Sequence, residues 1–182
     1  MLKITIPDTE AYDPKTNEFI TVKRQTISLE HSLVSISKWE SKWHKPYLDK
    51  RYEKTREEAL DYIRCMTLTQ NVDPLTYRCI PDSEIKKIIE YINDPMTATW
   101  FSDEEHSKGR NQPIITSEII YYWMVAYQIP FECQKWHLNR LITLVKVCDE
   151  KNKKPKKMSR NERYARNSKL NKARKARGHT RG

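Results

Sequence analysis

The sequence predicts a mainly α fold: a compact helical domain of about five helices, with a small N-terminal β-hairpin and a basic C-terminal extension. Three observations support this class. Apolar residues recur at helical spacing through most of the first 150 residues, β-branched residues cluster near the N-terminus, and basic residues crowd the last 32 positions. We therefore assign residues 1–150 to one domain and residues 151–182 to a tail that is disordered or conditionally helical.

The N-terminal segment is predicted to form a β-hairpin or a unit of two to three strands. LKITIP alternates apolar and polar side chains, DPKTNE supplies turn residues, and FITVKRQTISLE is rich in β-branched residues. Because an isolated hairpin is marginally stable in water, its apolar face should pack on the helices that follow.

The first two helices are predicted at about residues 30–44 and 55–69, and the third is predicted in PDSEIKKIIEYI, ending before Asp94 and Pro95. Pro46 stops the first, and Thr55 with Glu58 forms a capping box at the start of the second. The third has an amphipathic pattern with spacing i, i+3, i+4 and i+7, which predicts that its isoleucines face inward. These are Ile85, Ile88, Ile89 and Ile92.

The last two helices of the domain are the most apolar, and we expect them to form the core pair. One begins at Thr116 or Ser117, and the other lies in FECQKWHLNRLITLVKVCDEKN. Residues 95–113 before them are predicted to be a long exposed loop. The tail could form a further helix from Ser159 to about Arg177, but it has almost no apolar stripe and would be unstable without a partner.

Charge is distributed unevenly along the chain. The whole sequence has 34 basic and 24 acidic residues, and the last 32 residues hold 14 of the basic ones and a single acid, Glu162. The first 150 residues therefore have 20 basic and 23 acidic residues, a mildly acidic body. Such a tail can attract phosphates or an acidic protein surface without selecting between them.

Composition also limits the function. The four cysteines form no CxxC pair, and no secretory signal or long apolar run occurs, so we expect reduced thiols in a soluble, cytosolic protein without membrane contact. Gly109 is the only glycine of the first 150 residues. This scarcity argues against the glycine-rich phosphate loops of nucleotide-binding enzymes.

Trp39 and Trp43 stand four residues apart, with Lys38, Lys42 and Lys45 beside them. Aromatic rings flanked by cations can stack on the bases of single strands. Aromatic residues at this helical spacing more often pack in a core or a partner interface, which we favour.

The remaining candidate groups favour structural roles. Cys133 and His137 have a spacing that could supply two zinc ligands, yet no matching second pair is evident. Glu40 and His44 are expected to make a surface contact, and the acidic residues 103–105 to be solvated in the loop. We predict no catalytic residue, no metal site and no cofactor, and therefore no enzyme.

The tail has three open interpretations: a solubilising or disordered extension, a nonspecific phosphate-binding segment for nucleic acid, or a contact for an acidic protein. Signatures of base-reading domains are absent. Its candidate binding residues are Lys153, Lys154, Lys156, Lys157, Arg160, Arg163, Arg166, Lys169, Lys172, Arg174, Lys175 and Arg177.

Several phrases of the sequence resemble those of a small protein family found in tailed bacteriophages. They are ISLEHSLVSISKWESKWHKPYL, TREEALDYIRCMTL, PMTATWF, IITSEIIYYWMVAYQIPFECQKWHLNRLITLVKVC and PKKMSRNERYARNSKLNKARKARGHTRG. The family is associated with the tail gene module and with tail assembly chaperones. The resemblance covers nearly the full chain and has no active-site residues to carry over.

The resemblance implies a non-enzymatic assembly factor in the host cell cytoplasm that keeps the tape-measure protein soluble during tail morphogenesis. Its partner would be the tape-measure or another tail protein, and a homo-oligomer is permitted. The alternatives are a virion structural or connector protein of the tail, or a nonspecific nucleic-acid-binding module. Apolar surface for a partner is expected at Trp39, Trp43, Trp100, Phe101 and Trp136.

Overall fold

The structure, a computed structural model, describes residues 1–13, 17–99, 101, 114–153 and 159–178 of the 182-residue chain. In this described part, four short strands precede six α-helices and two 3-10 helices. The predicted mainly α fold with a small N-terminal hairpin is confirmed. The chain divides into two units, Met1–Cys148 and Asp149–Gly182.

The confirmed hairpin is a long antiparallel ribbon of four strands, which pair as two two-stranded sheets. The strands are β1 (Leu2–Ile6), β2 (Thr9–Asp13), β3 (Glu18–Val22) and β4 (Gln25–Leu29). β1 pairs with β4 and β2 pairs with β3. The register is continuous along the ribbon, since Ile6 faces Gln25 and the next paired residue, Thr9, faces Val22.

The ribbon is interrupted at Pro7 and Asp8. Proline has no amide to donate to the ladder, and the Asp8 side chain accepts a hydrogen bond from the Arg24 backbone amide at 2.7 Å. The buried side changes at this point, because β1 buries even-numbered residues whereas β2 buries Ala11 and exposes Tyr12. The outer half of the ribbon packs on the first 3-10 helix.

The helices follow the predicted order. They are α1 (Leu33–Trp43), α2 (Arg56–Met66), α3 (Asp82–Asn93), α4 (Ser117–Ala126), α5 (Leu138–Asn152) and α6 (Arg160–Gly178). The 3-10 helices, Pro74–Cys79 and Phe131–Lys135, are additional elements that the sequence did not predict. The predicted loop 95–113 lies largely outside the described residues.

Two capping boxes define the first helix starts. The Thr55 hydroxyl accepts from the Glu58 amide at 3.3 Å, and the Glu58 carboxylate accepts from the Thr55 amide at 2.8 Å, as predicted. Ser32 and Ser35 form the equivalent box at the start of α1, so this helix begins later than residue 30. At its end, His44 adopts a left-handed conformation with φ of 53°.

α1 is the central helix of the first unit. It packs on α2, α4 and the second 3-10 helix, and its Leu33, Ile36 and Trp39 side chains are fully buried. The expectation that α4 and α5 form the core pair is wrong, because α4 packs mainly on α1. Both helices still contribute buried side chains, among them Met124 and Leu141.

Two details of the predicted faces differ from the structure. Ile89 of α3 is 52% exposed, while Tyr91 is buried in its place. The segment from Phe131 is not one helix, because the backbone is extended at Trp136 and forms a β-bridge between His137 and Ser32. The Leu138 amide then donates to the His31 carbonyl at 2.7 Å, and α5 begins.

Candidate partner-binding surfaces

α4 exposes apolar side chains on the side that faces away from the core. Ile120 and Met124 are fully buried, whereas Tyr122 is 68% exposed and Val125 is 61% exposed. The segment SEIIYYWMVA is apolar at almost every position after Glu118, so burying one side leaves apolar groups on the other. Scattered apolar residues are ordinary on protein surfaces, but these two are neighbours on one helix.

The exposed apolar surface continues into the second 3-10 helix. The Phe131 side chain is exposed, and its ring centroid lies 6.5 Å from that of Tyr121. The Tyr121 hydroxyl donates to Gln134 Oε1 at 2.9 Å, which orients the half-buried ring. We define the α4 outer face as Tyr121, Tyr122, Val125 and Phe131.

Of the two predicted tryptophans on α1, Trp39 is a core residue. It is 0% exposed, and its indole nitrogen donates to the Glu58 backbone carbonyl at 2.9 Å. Trp39 therefore presents no surface to a partner, which corrects its assignment as a partner-binding residue. Trp39 packs in the core, which is one of the two roles that its helical spacing with Trp43 favoured.

Trp43 is half-buried beside Trp39. The two rings stack with centroids 6.2 Å apart, and the Trp43 indole nitrogen donates to Asp61 Oδ2 at 2.8 Å. Lys42 and Lys45 lie 5.4 and 6.0 Å from its ring. Lys42 also pairs with Asp61 at 2.5 Å, and a carboxylate beside the ring disfavours a phosphate there.

The other predicted aromatic residues do not join this pair. Trp136 is half-buried with the Arg140 guanidinium 4.3 Å from its ring. Phe101 is half-buried with the Lys146 ammonium 5.8 Å from its ring. Trp100 lies outside the described residues. The five aromatic residues therefore have separate local environments where the structure describes them.

Glu58 is a buried carboxylate at the centre of a polar cluster. Its carboxylate accepts from Lys45 at 2.7 Å and from Tyr52 at 2.5 Å, besides the Thr55 amide. The hydrogen bonds from Lys45 and then Tyr52 lower the pKa of Glu58 to about 2. A carboxylate with so low a pKa stays ionised at neutral pH, so it is suited to holding α1 and α2 together and not to general acid catalysis.

His31 and His137 meet inside the first unit, with ring centroids 5.1 Å apart. Burial, and then the neighbouring His137, lower the pKa of His31 to about 3, and burial also lowers the pKa of His137. His31 Nδ1 contacts the Tyr62 hydroxyl at 2.5 Å, and His137 Nε2 donates to the Tyr91 carbonyl at 2.9 Å. Both rings are buried parts of the core, and the lowered pKa values favour their uncharged forms at neutral pH.

The members of the Cys133–His137 pair and of the Glu40–His44 pair have different local environments. Cys133 lies in a 3-10 helix and His137 in an extended segment, so the helical i, i+4 spacing does not apply. The expected surface contact of Glu40 with His44 is wrong, because Glu40 is buried and accepts from the Tyr47 amide at 2.8 Å, whereas His44 is exposed at the end of the helix. Residues 103–105 are outside the described part.

The described residues contain few features of a chemical site. No three His, Cys, Asp or Glu side chains among them come together in an arrangement that could hold a metal ion. The four cysteines are free thiols. Within the described ranges, every helix is too short or too polar to span a lipid bilayer.

The basic tail contains a capped helix. The Ser159 hydroxyl accepts from the Glu162 amide at 3.2 Å, and the Glu162 carboxylate accepts from the Ser159 amide at 2.8 Å. The single acid of the tail thus starts α6. The side chains of residues 159–175 are exposed, and those of Lys154, Lys156, Lys157 and Arg177 lie outside the described part.

Lys153 differs from the exposed cations of α6. Its ammonium pairs with Glu150 and lies 3.3 Å from the Asp149 carboxylate, so two carboxylates of the last turn of α5 partly compensate its charge.

Comparisons with known protein families, characterised proteins and solved structures found no match to this chain.

Proposed function

We propose that this chain is a non-enzymatic assembly factor whose α4 outer face binds an amphipathic helix of a partner protein. The observation that supports it is the exposure of Tyr122 and Val125 on a helix that is apolar on nearly every side. A contiguous apolar surface in water favours association, and an amphipathic helix can cover it with its own apolar stripe. Tyr122 suits such a contact because it offers a large rigid ring and a hydroxyl.

The partner class follows from the sequence resemblance. Tail assembly chaperones of tailed bacteriophages bind the tape-measure protein, a long helical chain with apolar stripes. We propose that protein as the partner and the host cell cytoplasm as the compartment. The contact residues are Tyr122, Val125 and Phe131, in place of the buried Trp39.

Co-expression with the tape-measure protein of the same phage tests the proposal. The wild-type chain should raise the soluble fraction of the tape-measure protein and co-purify with it. Tyr122→Lys and Val125→Lys should abolish both effects, because each would place an ammonium in the apolar contact. Lysine at 122 follows Glu118 by four residues, a favourable helix pair, so the variant should remain folded.

Ile89→Lys is the matched control, since Ile89 is also an exposed apolar helix residue but lies on α3. It should bind the tape-measure protein as the wild type does. Equal binding by all three variants would rule out the α4 outer face, and no binding by the wild-type chain would rule out this partner.

Mass spectrometry of purified virions separates the chaperone from a structural or connector protein. An assembly factor leaves before the tail is complete, so its peptides should be missing from the particles. Peptides at a stoichiometry comparable to tail-tube subunits would contradict the proposal and favour the structural alternative.

A further inference from the structure

Positive charge is present on every side of α6. A basic residue recurs every three positions over about four turns of the helix, and each such step rotates the side-chain direction by about 300°, or about 60° backward. The five steps between the six basic residues therefore place these residues at intervals of about 60° around the whole helix. The residues are Arg160, Arg163, Arg166, Lys169, Lys172 and Lys175.

Packing inside a core does not account for this helix. The only large apolar residues in α6 are Tyr164 and Leu170, which are 62% and 45% exposed and lie six positions apart, about 120° from each other around the axis. A helix that is polar on all sides has little tertiary stabilisation. The Ser159 and Glu162 capping box nevertheless defines the start of α6, so the sequence favours a helix here. The exposed side chains of this helix are available to contact another molecule.

One face of α6 combines asparagine with arginine. The spacing 4, 3, 4, 3 places five residues in one line along the axis, which are Arg160, Tyr164, Asn167, Asn171 and Arg174. Part of this line forms a shallow groove together with Arg163. The Arg160 guanidinium lies 5.8 Å from the Tyr164 ring. The two asparagines give this face its uncharged middle, with cations at its ends and along its flanks.

We propose that α6 binds in the major groove of duplex DNA, with its Asn167 and Asn171 face toward the base edges. A helix with side chains is about 10–12 Å across, and the major groove of B-form DNA is about 12 Å wide. Phosphates line both walls of this groove, so cations on opposite sides of one helix can each meet a phosphate. Asparagine amides can hydrogen-bond to base edges on the groove floor.

Two other polyanions fit this arrangement less well. A flat acidic protein surface can contact only one side of the helix and leaves the cations on the opposite side unused. The major groove of A-form RNA is deep and too narrow for side chains to read. This inference concerns α6 alone and is independent of the proposed function of α4, so the failure of one leaves the other standing.

Fluorescence anisotropy of the full-length chain with a short mixed-sequence DNA duplex tests the proposal. The logarithm of the binding constant should fall linearly with the logarithm of salt, with about threefold loss per phosphate contact between about 50 and 200 mM. Methyl green, which occupies the major groove, should displace the protein, and the minor-groove ligand netropsin should not. Displacement by netropsin alone would overturn the assignment.

Arg163 and Lys172 are the decisive pair, because nine residues turn the helix by about 900° and place them on opposite sides. Arg163→Gln and Lys172→Gln should each weaken binding and lower the salt slope by about 1. Lys86→Gln on α3 removes the same charge from an exposed site and should leave the slope unchanged. Glutamine is a good helix former, so the variants keep α6 intact.

Each of the following results would contradict the binding of α6 in the major groove of DNA. An effect of only one of the Arg163 and Lys172 substitutions would indicate a flat surface in contact with one side. Equal competition by polyglutamate would indicate an acidic protein partner, and equal or tighter binding of duplex RNA would exclude the B-form groove. No binding to duplex DNA at low salt would leave α6 as a solubilising segment.

Discussion

The Glu40 carboxylate accepts a hydrogen bond from the Ser117 backbone amide at 2.8 Å, although the two residues are 77 positions apart in the sequence. Ser117 is the first residue of α4, and the Thr116 side chain does not cap this helix. Glu40 therefore provides from α1 the acceptor and the negative charge that a helix N-terminus needs. The same carboxylate holds the Tyr47 amide, so it fixes two segments against the central helix.

Replacing Glu40 should destabilise the first unit. Glu40→Ala leaves two amides without their acceptor and should lower the free energy of unfolding by about 3 kcal/mol, since hydrogen bonds to charged groups contribute about 1.5–3 kcal/mol each. Glu40→Gln keeps one oxygen acceptor and should cost roughly half as much. Urea denaturation measures both. Glu90→Ala, at an exposed position of α3, should change stability by less than about 0.5 kcal/mol, and a similar value for Glu40→Ala would contradict the bridging role.

Acid should destabilise the protein through His31. Burial lowers the pKa of His31 from 6.5 to about 3, so the unfolded chain takes up a proton at a higher pH than the folded chain. The stability that the uncharged His31 side chain contributes is fully present above pH 6.5 and is lost as the pH falls toward 3. Lowering the pH from about 7 to about 5 should therefore reduce the free energy of unfolding by about 2 kcal/mol.

The His31→Asn variant should lose less stability than the wild type over the same pH range. Urea denaturation at several pH values provides the measurement. His44→Asn is the matched control, because His44 is exposed and asparagine tolerates its left-handed backbone conformation. The idea fails if the wild type and His31→Asn have the same pH dependence.

Trp39 should be more important for stability than for partner binding. Trp39→Phe removes the hydrogen bond to the Glu58 carbonyl and leaves a void in the core, which should cost about 2 kcal/mol. Trp136→Phe, at a half-buried position, should cost less than about 1 kcal/mol. Thermal or urea unfolding measures both losses of stability. Equal losses for Trp39→Phe and Trp136→Phe would contradict the larger role of Trp39 in the core.

The start of α6 should depend on its capping box. Ser159→Ala should lower the helicity of the first turn, with a cost of about 1 kcal/mol to the helix, as measured by backbone carbon chemical shifts of the full-length chain. Ser168→Ala, in the exposed helix middle, should raise helicity instead. Hydrogen bonding to the Ser159 amide lowers the pKa of Glu162, so the cap is present above the usual pKa of glutamate and is lost as the pH falls through the lowered value. A first turn with unchanged shifts in Ser159→Ala would show that the cap contributes nothing.

Features determined within a few residues could be predicted from the sequence. The Thr55 and Glu58 box lies within one turn, so this capping box of α2 was predicted from the sequence, and the structure confirms it. The isoleucine pattern of α3 indicated the helix but not its buried side, because Ile88 and Ile89 are adjacent and tertiary packing selected Ile88. Helical periodicity alone does not distinguish them.

Features that depend on distant segments could not be predicted. The role of Glu40 depends on Ser117, and the broken helix at Trp136 depends on the bridge from His137 to Ser32. The α4 outer face had a local signal that was missed, namely the absence of a polar side in IIYYWMVA. Trp39 was predicted to offer apolar surface to a partner, but a large aromatic ring is equally suited to a core, and tertiary packing buries it there.

The bridge between the His31 and Leu138 segments also has a consequence for synthesis. A ribosome that adds about 5–20 residues per second reaches Leu138 roughly 5–20 s after His31. During that interval the His31 carbonyl lacks the amide that it accepts in the finished chain, and α1 lacks its contacts with α4. The nascent chain therefore exposes the α4-facing side of the central helix until α4 emerges from the ribosome, and this interval is when the chain is most open to aggregation or to capture by a chaperone.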